Sequence, residues 1–181
     1  MVIVIYMKRD LILWQVGGLT FTAVLGTLLH FVYDWIKIPF IAPISALNES
    51  TWEHMKLLFF PILLFSVVQV CVMGRNYPNL LAVRALSVLA GLVLIPVLFY
   101  TYTGALGVQE SWANIAIFYV TALACFLLDF ALLSRGRLSA PWQQIAGLLI
   151  LWVLAFSFVW FTFRPLKFPL WQDPVTGQFG I

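Results

Sequence analysis

The chain has 181 residues, 63% of them hydrophobic and 9% charged, with a formal net charge of +3 and a mean hydropathy of +1.01. Soluble domains carry about 25% charged residues, so an ordinary soluble fold is excluded. The positive surplus is scattered through short loops with no long basic run, which argues against nucleic-acid binding. Several apolar runs reach the roughly 20 residues a helix needs to cross the hydrocarbon core, and the short alternating segments of a membrane β-barrel do not appear. The composition therefore predicts an all-α integral membrane bundle filling residues 1–181 as one domain.

Five transmembrane helices are predicted, at about residues 11–35, 51–73, 80–103, 111–134 and 142–163, followed by a tail over 164–181. Met7 precedes Lys8 and Arg9 and would itself make a start, so the native start is Met1 or Met7, which intact mass would decide. The first apolar run exceeds the roughly 7–15 residues of a signal-peptide core and lacks a small-x-small cleavage site, so it reads as a retained helix. It carries Gly18, Thr22, Gly26, His30 and Asp34 at four-residue steps. Small residues on one face admit close helix approach, which predicts a central place for this helix, with its ionisable end at an interface.

Residues 36–50 hold Pro39, Pro43 and Asn48 among apolar residues and read as an interfacial or re-entrant connection. Ser50-x-x-Glu53 fits a capping box at the start of the second helix. Pro61 removes a backbone donor and frees the Leu57 carbonyl, and Pro96 is a second predicted kink. Cys71 and Cys125 lie inside apolar spans and read as small buried residues, not as a disulfide. In the tail, Asp173-Pro174-Val175-Thr176-Gly177 reads as a turn; the alternative is a lid that folds back and places Asp173 near the polar cluster.

An odd number of spans puts the termini on opposite sides. Lys8, Arg9, Arg75, Arg84, Arg135 and Arg137 fall on one side, and Lys37, Lys56, Arg164 and Lys167 on the other. The Lys/Arg excess of short loops marks the cytoplasm, so the N-terminus is expected inside and the C-terminus outside. Trp35, Trp52, Trp112, Trp160 and Trp171 then form an outer aromatic belt, with Trp14 and Trp142 at the inner interface. Gln69 and Asp129, deep in their spans, are expected to pair with Arg84 or with backbone.

The chemistry concentrates in Asn48-Glu49-Ser50-Thr51-Trp52-Glu53-His54-Met55-Lys56. This stretch holds one of the chain's 2 histidines and two of its 7 acids. The connection between the first two helices is short, so His30 and Asp34 are expected to meet Glu49, Glu53 and His54 at the outer interface. Two imidazoles and two or three carboxylates suit a divalent metal such as zinc, iron or manganese. That metal would polarise a carbonyl or phosphoryl oxygen and activate water. Without it, Glu53 and His54 are the candidate acid–base pair. Lys56, Tyr100 and Tyr102 are candidates for holding an anionic group, and Asn48 and Asp173 for support. The plainer reading makes Glu53 a capping carboxylate, Glu53–Lys56 a surface ion pair and His30–Asp34 a hydrogen-bonded packing pair. No His-Glu-x-x-His, P-loop, Gly-x-Ser-x-Gly or Cys-x-x-Cys is present.

Gly26-x-x-x-His30-Phe31-x-x-Asp34, Asn48-Glu49-Ser50-x-Trp52-Glu53-His54-x-Lys56-Leu57, Phe60-Pro61, Tyr100-Thr101-Tyr102-Thr103-Gly104 and Asp173-Pro174-Val175-Thr176-Gly177-Gln178-x-Gly180-Ile181 together resemble a family of small bacterial multi-pass membrane proteins. That family is known only as a domain of unknown function. The resemblance covers nearly the whole chain. It implies a bacterial inner-membrane protein and supplies no activity, substrate or cofactor. The expected function is metal-assisted hydrolysis or group transfer on a lipid-like substrate, with membrane lipid as the partner. The alternative is a non-catalytic membrane subunit or a small proton-coupled transporter.

Overall fold

The computed structural model describes residues 2–180, with side chains from Arg9 onward. The choice of start and the side chains of Met7 and Lys8 lie outside the described residues, as does Ile181. The elements are α1 (Val2–Ile36), α2 (Thr51–Met73), α3 (Leu80–Leu106), α4 (Ser111–Leu133) and α5 (Pro141–Phe163), with a 3-10 turn over Pro169–Trp171. All five helices are long and apolar enough to cross a membrane. Among the described residues the only β pairing is an isolated bridge between Gln172 and Phe179. The protein is a five-helix membrane bundle.

Two boundaries differ from the sequence expectation for physical reasons. α1 begins at Val2, ahead of the apolar run, because nothing in Val-Ile-Val-Ile-Tyr-Met breaks a helix. α3 passes through Gly104 and stops at Gly107, whose φ of 67° is the left-handed conformation that closes a helix. The Gly107 amide caps the Thr103 carbonyl at 2.9 Å.

α2 and α3 are the most buried helices. α3 packs on α2, α4 and α5, whereas α1 packs mainly on α2 and α4. α1 is therefore a flank and not the centre that its small residues suggested. Those residues receive aromatic rings from its two neighbours. A Cβ on Gly18 would lie 2.5 Å from the Phe126 ring and 2.6 Å from that of Phe65. On Gly26 it would lie 2.5 Å from the Phe118 ring and 2.7 Å from the Leu57 carbonyl oxygen. That carbonyl is the one Pro61 deprives of its helical partner, and α2 runs on through the proline. The four-residue row also drifts, since four residues turn a helix by about 400° and each step adds about 40°. Gly18, Thr22 and Gly26 face the bundle, His30 is half-buried and Asp34 points out.

The core gathers Trp52, Phe59, Phe60 and Phe158 between α2 and α5. Trp52 is buried here and not part of an interfacial belt. Its ring lies 4.6 Å from that of Phe158 and stacks on Trp171 of the tail at 4.7 Å. Trp35, Trp112, Trp142 and Trp160 are exposed near helix ends, as belts require, while Trp14 is half-buried. Cys125 is buried and Cys71 is exposed on the outer face of α2, both as free thiols.

Two ion pairs are built into the bundle. Arg84 meets Asp129 at 2.5 Å, donates to Gln69 Oε1, and lies over the Phe126 ring. This is the pairing expected for Gln69 and Asp129. At the other end Lys56 Nζ meets Glu53 at 2.6 Å and donates to the Ala42 carbonyl at 2.9 Å and to Thr162 Oγ1 at 3.1 Å. Both side chains are buried, so the pair is not the surface contact that i,i+3 spacing suggests.

Candidate metal centre

The start of α2 is fixed by a short chain of caps. Asn48 Oδ1 accepts the Ser50 amide at 2.9 Å, and Ser50 Oγ accepts the Glu53 amide at 3.4 Å. The reciprocal half of the expected capping box is missing. Glu53 turns to the Leu47 amide and to Lys56 instead. Successive residues on a helix are about 100° apart, so His54 points to the opposite side from Lys56, toward α1 and α4. Glu49, the last acid before the helix, lies on the same side as His54.

There His54 meets His30 from the far end of α1. Glu49 Oε1 lies 3.8 Å from His30 Nε2 and Glu49 Oε2 lies 3.5 Å from His54 Nε2. The two imidazoles meet edge to face, with centroids 5.4 Å apart. One ligand atom from each of the three residues falls within 4.8 Å of the others. His54 Nδ1 lies 2.9 Å from the Ser50 carbonyl. A carbonyl only accepts, so Nδ1 carries the proton and Nε2 presents its lone pair toward Glu49 and His30. Zinc ligands at about 2.0–2.1 Å lie about 3.3 Å apart in a tetrahedron. The two Glu49 contacts, at 3.8 and 3.5 Å, lie a few tenths of an ångström beyond that spacing.

The three residues stand at the head of a cleft of about 340 Å³. Gly26, Leu57 and Phe118 form its floor. Thr27 and Phe31 of α1 and Ile115 and Tyr119 of α4 rim it, and all four are exposed. The cleft opens between two membrane-spanning helices. Tyr119 OH and Thr27 Oγ1 are 2.9 Å apart across the opening. The Thr27 proton is directed to the Ala23 carbonyl at 2.7 Å, so Tyr119 donates.

The other predicted site residues are placed elsewhere. Asp34 is exposed, one turn beyond His30, and is not in the group of three. Glu53 is neutralised by Lys56 and faces α5 and the 42–47 loop, away from the cleft. Lys56, tied to the same network, does not face it either. Asn48 braces the cap and donates to the Gly180 carbonyl at 3.3 Å, fastening the tail. Asp173 uses its carboxylate on its own turn, accepting from the Val175 amide at 2.9 Å and from Thr176 Oγ1 at 2.7 Å. Tyr100 borders a separate open groove with Gln109 and Pro174.

Sequence reasoning missed Asn114, one turn into α4. It borders the cleft beside His54 and Glu49. The signal was an amide in the opening turn of an otherwise apolar span, which by itself has an ordinary interfacial explanation. Its partner is Tyr102, whose hydroxyl donates to Asn114 Oδ1 at 2.6 Å.

A five-helix membrane bundle with a His-Glu-His cluster over a cleft between two spanning helices is the class that fold and site define. The chain belongs to the Family of unknown function (DUF6512), whose sequence model matches residues 5–181. No curated protein and no solved structure matches it.

Proposed function

We propose that His30, Glu49 and His54 bind a divalent transition metal and that the protein is a metal-assisted hydrolase or group-transfer enzyme acting on a lipid-like substrate. The observation that carries this reading is the convergence of three ligand atoms within 4.8 Å of one another at the head of a cleft. Three protein ligands leave coordination positions for water and substrate, as catalytic zinc sites do. The metal would polarise the carbonyl or phosphoryl oxygen and lower the pKa of bound water. In hydrolysis the water hydroxyl joins the carbon or phosphorus, the bond to the leaving oxygen breaks, and that oxygen takes the proton. Glu53, committed to Lys56, has no part in this chemistry, and His54 acts as a ligand.

Proton-coupled transport is the weaker reading. It needs ionisable groups continuing from the cleft past midspan, whereas Asp129 and Gln69 are both engaged by Arg84. The family resemblance supports a bacterial inner membrane, and the Lys/Arg distribution supports an N-terminus inside and the metal centre at the outer face.

Elemental analysis of the purified protein tests the reading, with His30→Ala, His54→Ala and Asp34→Ala alongside. Near-stoichiometric zinc, iron or manganese in the wild type and in Asp34→Ala, lost in both histidine variants, is the expected result. No metal in any form, with every variant folded, sinks it.

A further inference from the structure

Asn114 is oriented by a relay. Tyr102 OH accepts the Glu110 amide at 3.4 Å and donates its own proton to Asn114 Oδ1. The carboxamide oxygen is thereby engaged, and the Nδ2 group is left as a donor with no hydrogen-bond partner among the described residues, on a side chain that borders the cleft next to Glu49 and His54. The head of the cleft thus offers a carboxylate–imidazole cluster and, beside it, an oriented N–H₂ group. A donor calls for an acceptor oxygen on whatever enters.

The rest of the cleft is of a different character. Its floor is Gly26 with the Leu57 and Phe118 side chains, and the exposed Phe31 and Ile115 side chains rim its mouth between the membrane-spanning helices α1 and α4. The volume of about 340 Å³ falls at the small end of the roughly 300–1,000 Å³ usual for ligand sites. It takes a head group and the first part of one chain, not a whole two-chain lipid.

We propose that this cleft binds a single-chain amphiphile taken from the bilayer. Its oxygen-bearing polar group lies between the His30–Glu49–His54 cluster and Asn114 Nδ2, and its chain leaves between α1 and α4. The proposal rests on the metal-centre reading for the identity of the head-group site, while the chain path stands on the cleft itself. Asn114 is a binding residue for the head-group oxygen, and Tyr102 is the positioning residue that aims it.

The test uses the full-length protein in lipid nanodiscs and a dodecylphosphonate carrying a mid-chain diazirine. After photolysis the labelled peptides are mapped by mass spectrometry, and metal content is measured on the same samples. Labelling should concentrate on α1 near Thr27–Phe31 and on α4 near Ile115–Tyr119. Excess dodecylphosphonate should compete with it and methylphosphonate should not. Ile115→Trp, at an exposed rim position, should suppress labelling without loss of metal. Asn114→Leu should weaken competition by about three- to tenfold, as loss of one hydrogen bond does, again with metal retained. Labelling spread evenly over the lipid-facing helices, or indifferent to competitor and to Ile115→Trp, would overturn the proposal whatever the metal content. Focused, competable labelling in a wild-type protein that holds no metal would support the amphiphile site while failing the metal reading, so the two are separately decided.

Discussion

Two groups of polar side chains stand at opposite ends of this bundle and are built differently. Arg84, Asp129 and Gln69 are buried, and Arg84 meets both of the others, as an ion pair with Asp129 and a hydrogen bond to Gln69. His30, Glu49 and His54 are half-buried, stand 3.5 and 3.8 Å apart where they approach, and share a cleft. A charge inside a membrane protein is costly unless paired, so the first group needs no ligand to explain it. The second holds a carboxylate and two neutral-capable imidazoles that are near one another without forming close hydrogen bonds. Glu53 and Lys56 adjoin His54 in the chain yet belong with the first kind. In this apolar setting, burial and direct ion pairing separate the two groups better than proximity in sequence does.

The largest effect that distinguishes the two groups should come from breaking a buried pair. Arg84→Met leaves the Asp129 carboxylate uncompensated and should cost about 3–5 kcal/mol in thermal unfolding of the detergent-solubilised protein. Replacing both partners by apolar residues should recover much of that loss. His30→Ala should change the same melting curve far less, and equal losses in the two variants would dissolve the distinction.

Acid should act on the receptive group instead. An imidazole must be unprotonated to bind a metal, so metal affinity should fall as the pH is lowered. Dialysis at pH 5 should strip metal that is retained at pH 7.5, and elemental analysis before and after reads the difference.

Smaller effects concern the frame that holds the cleft. Gly26→Ala pushes a methyl group against the Phe118 ring and the Leu57 carbonyl and should cost about 1–3 kcal/mol as overpacking, measured by the same unfolding curve. Ser50→Ala removes the cap of α2 and should cost about 1 kcal/mol. It should also raise hydrogen exchange in the first turn of that helix, where His54 is seated.

The helices were legible in the sequence because length and hydropathy alone decide whether a segment spans a membrane. The crowding of scarce polar residues in the Asn48–Lys56 stretch was legible too, and the fold brings Glu49 and His54 of that stretch against His30. Which of the polar residues face one another was not legible. Glu53, His54 and Lys56 lie within four positions, but helical rotation sends them to different neighbours, and only the packed bundle says which neighbour is α1 and which is α5. Asp34 was drawn into the candidate set by its four-residue spacing from His30. The drift of about 40° per step carries it out toward the surroundings. Asn114 and Tyr102 come from helices remote in the chain, and their meeting depends on how α3 and α4 pack.

The tail has a practical use. Trp171 stacks on Trp52, and the Gly180 carbonyl is held by Asn48, so the chain returns to the same end of the bundle as His30, Glu49 and His54. A reporter joined after residue 181 therefore starts at the cluster's own side. A phosphatase active only outside the cytoplasm, or a fluorescent protein that matures only within it, would read out directly which compartment supplies the water and ions that reach the cluster, without counting helices. A long flexible spacer is the sensible design for such a fusion, because a bulky domain placed immediately after Gly180 would pull on the strap that braces Asn48 and, through it, the cap beneath His54.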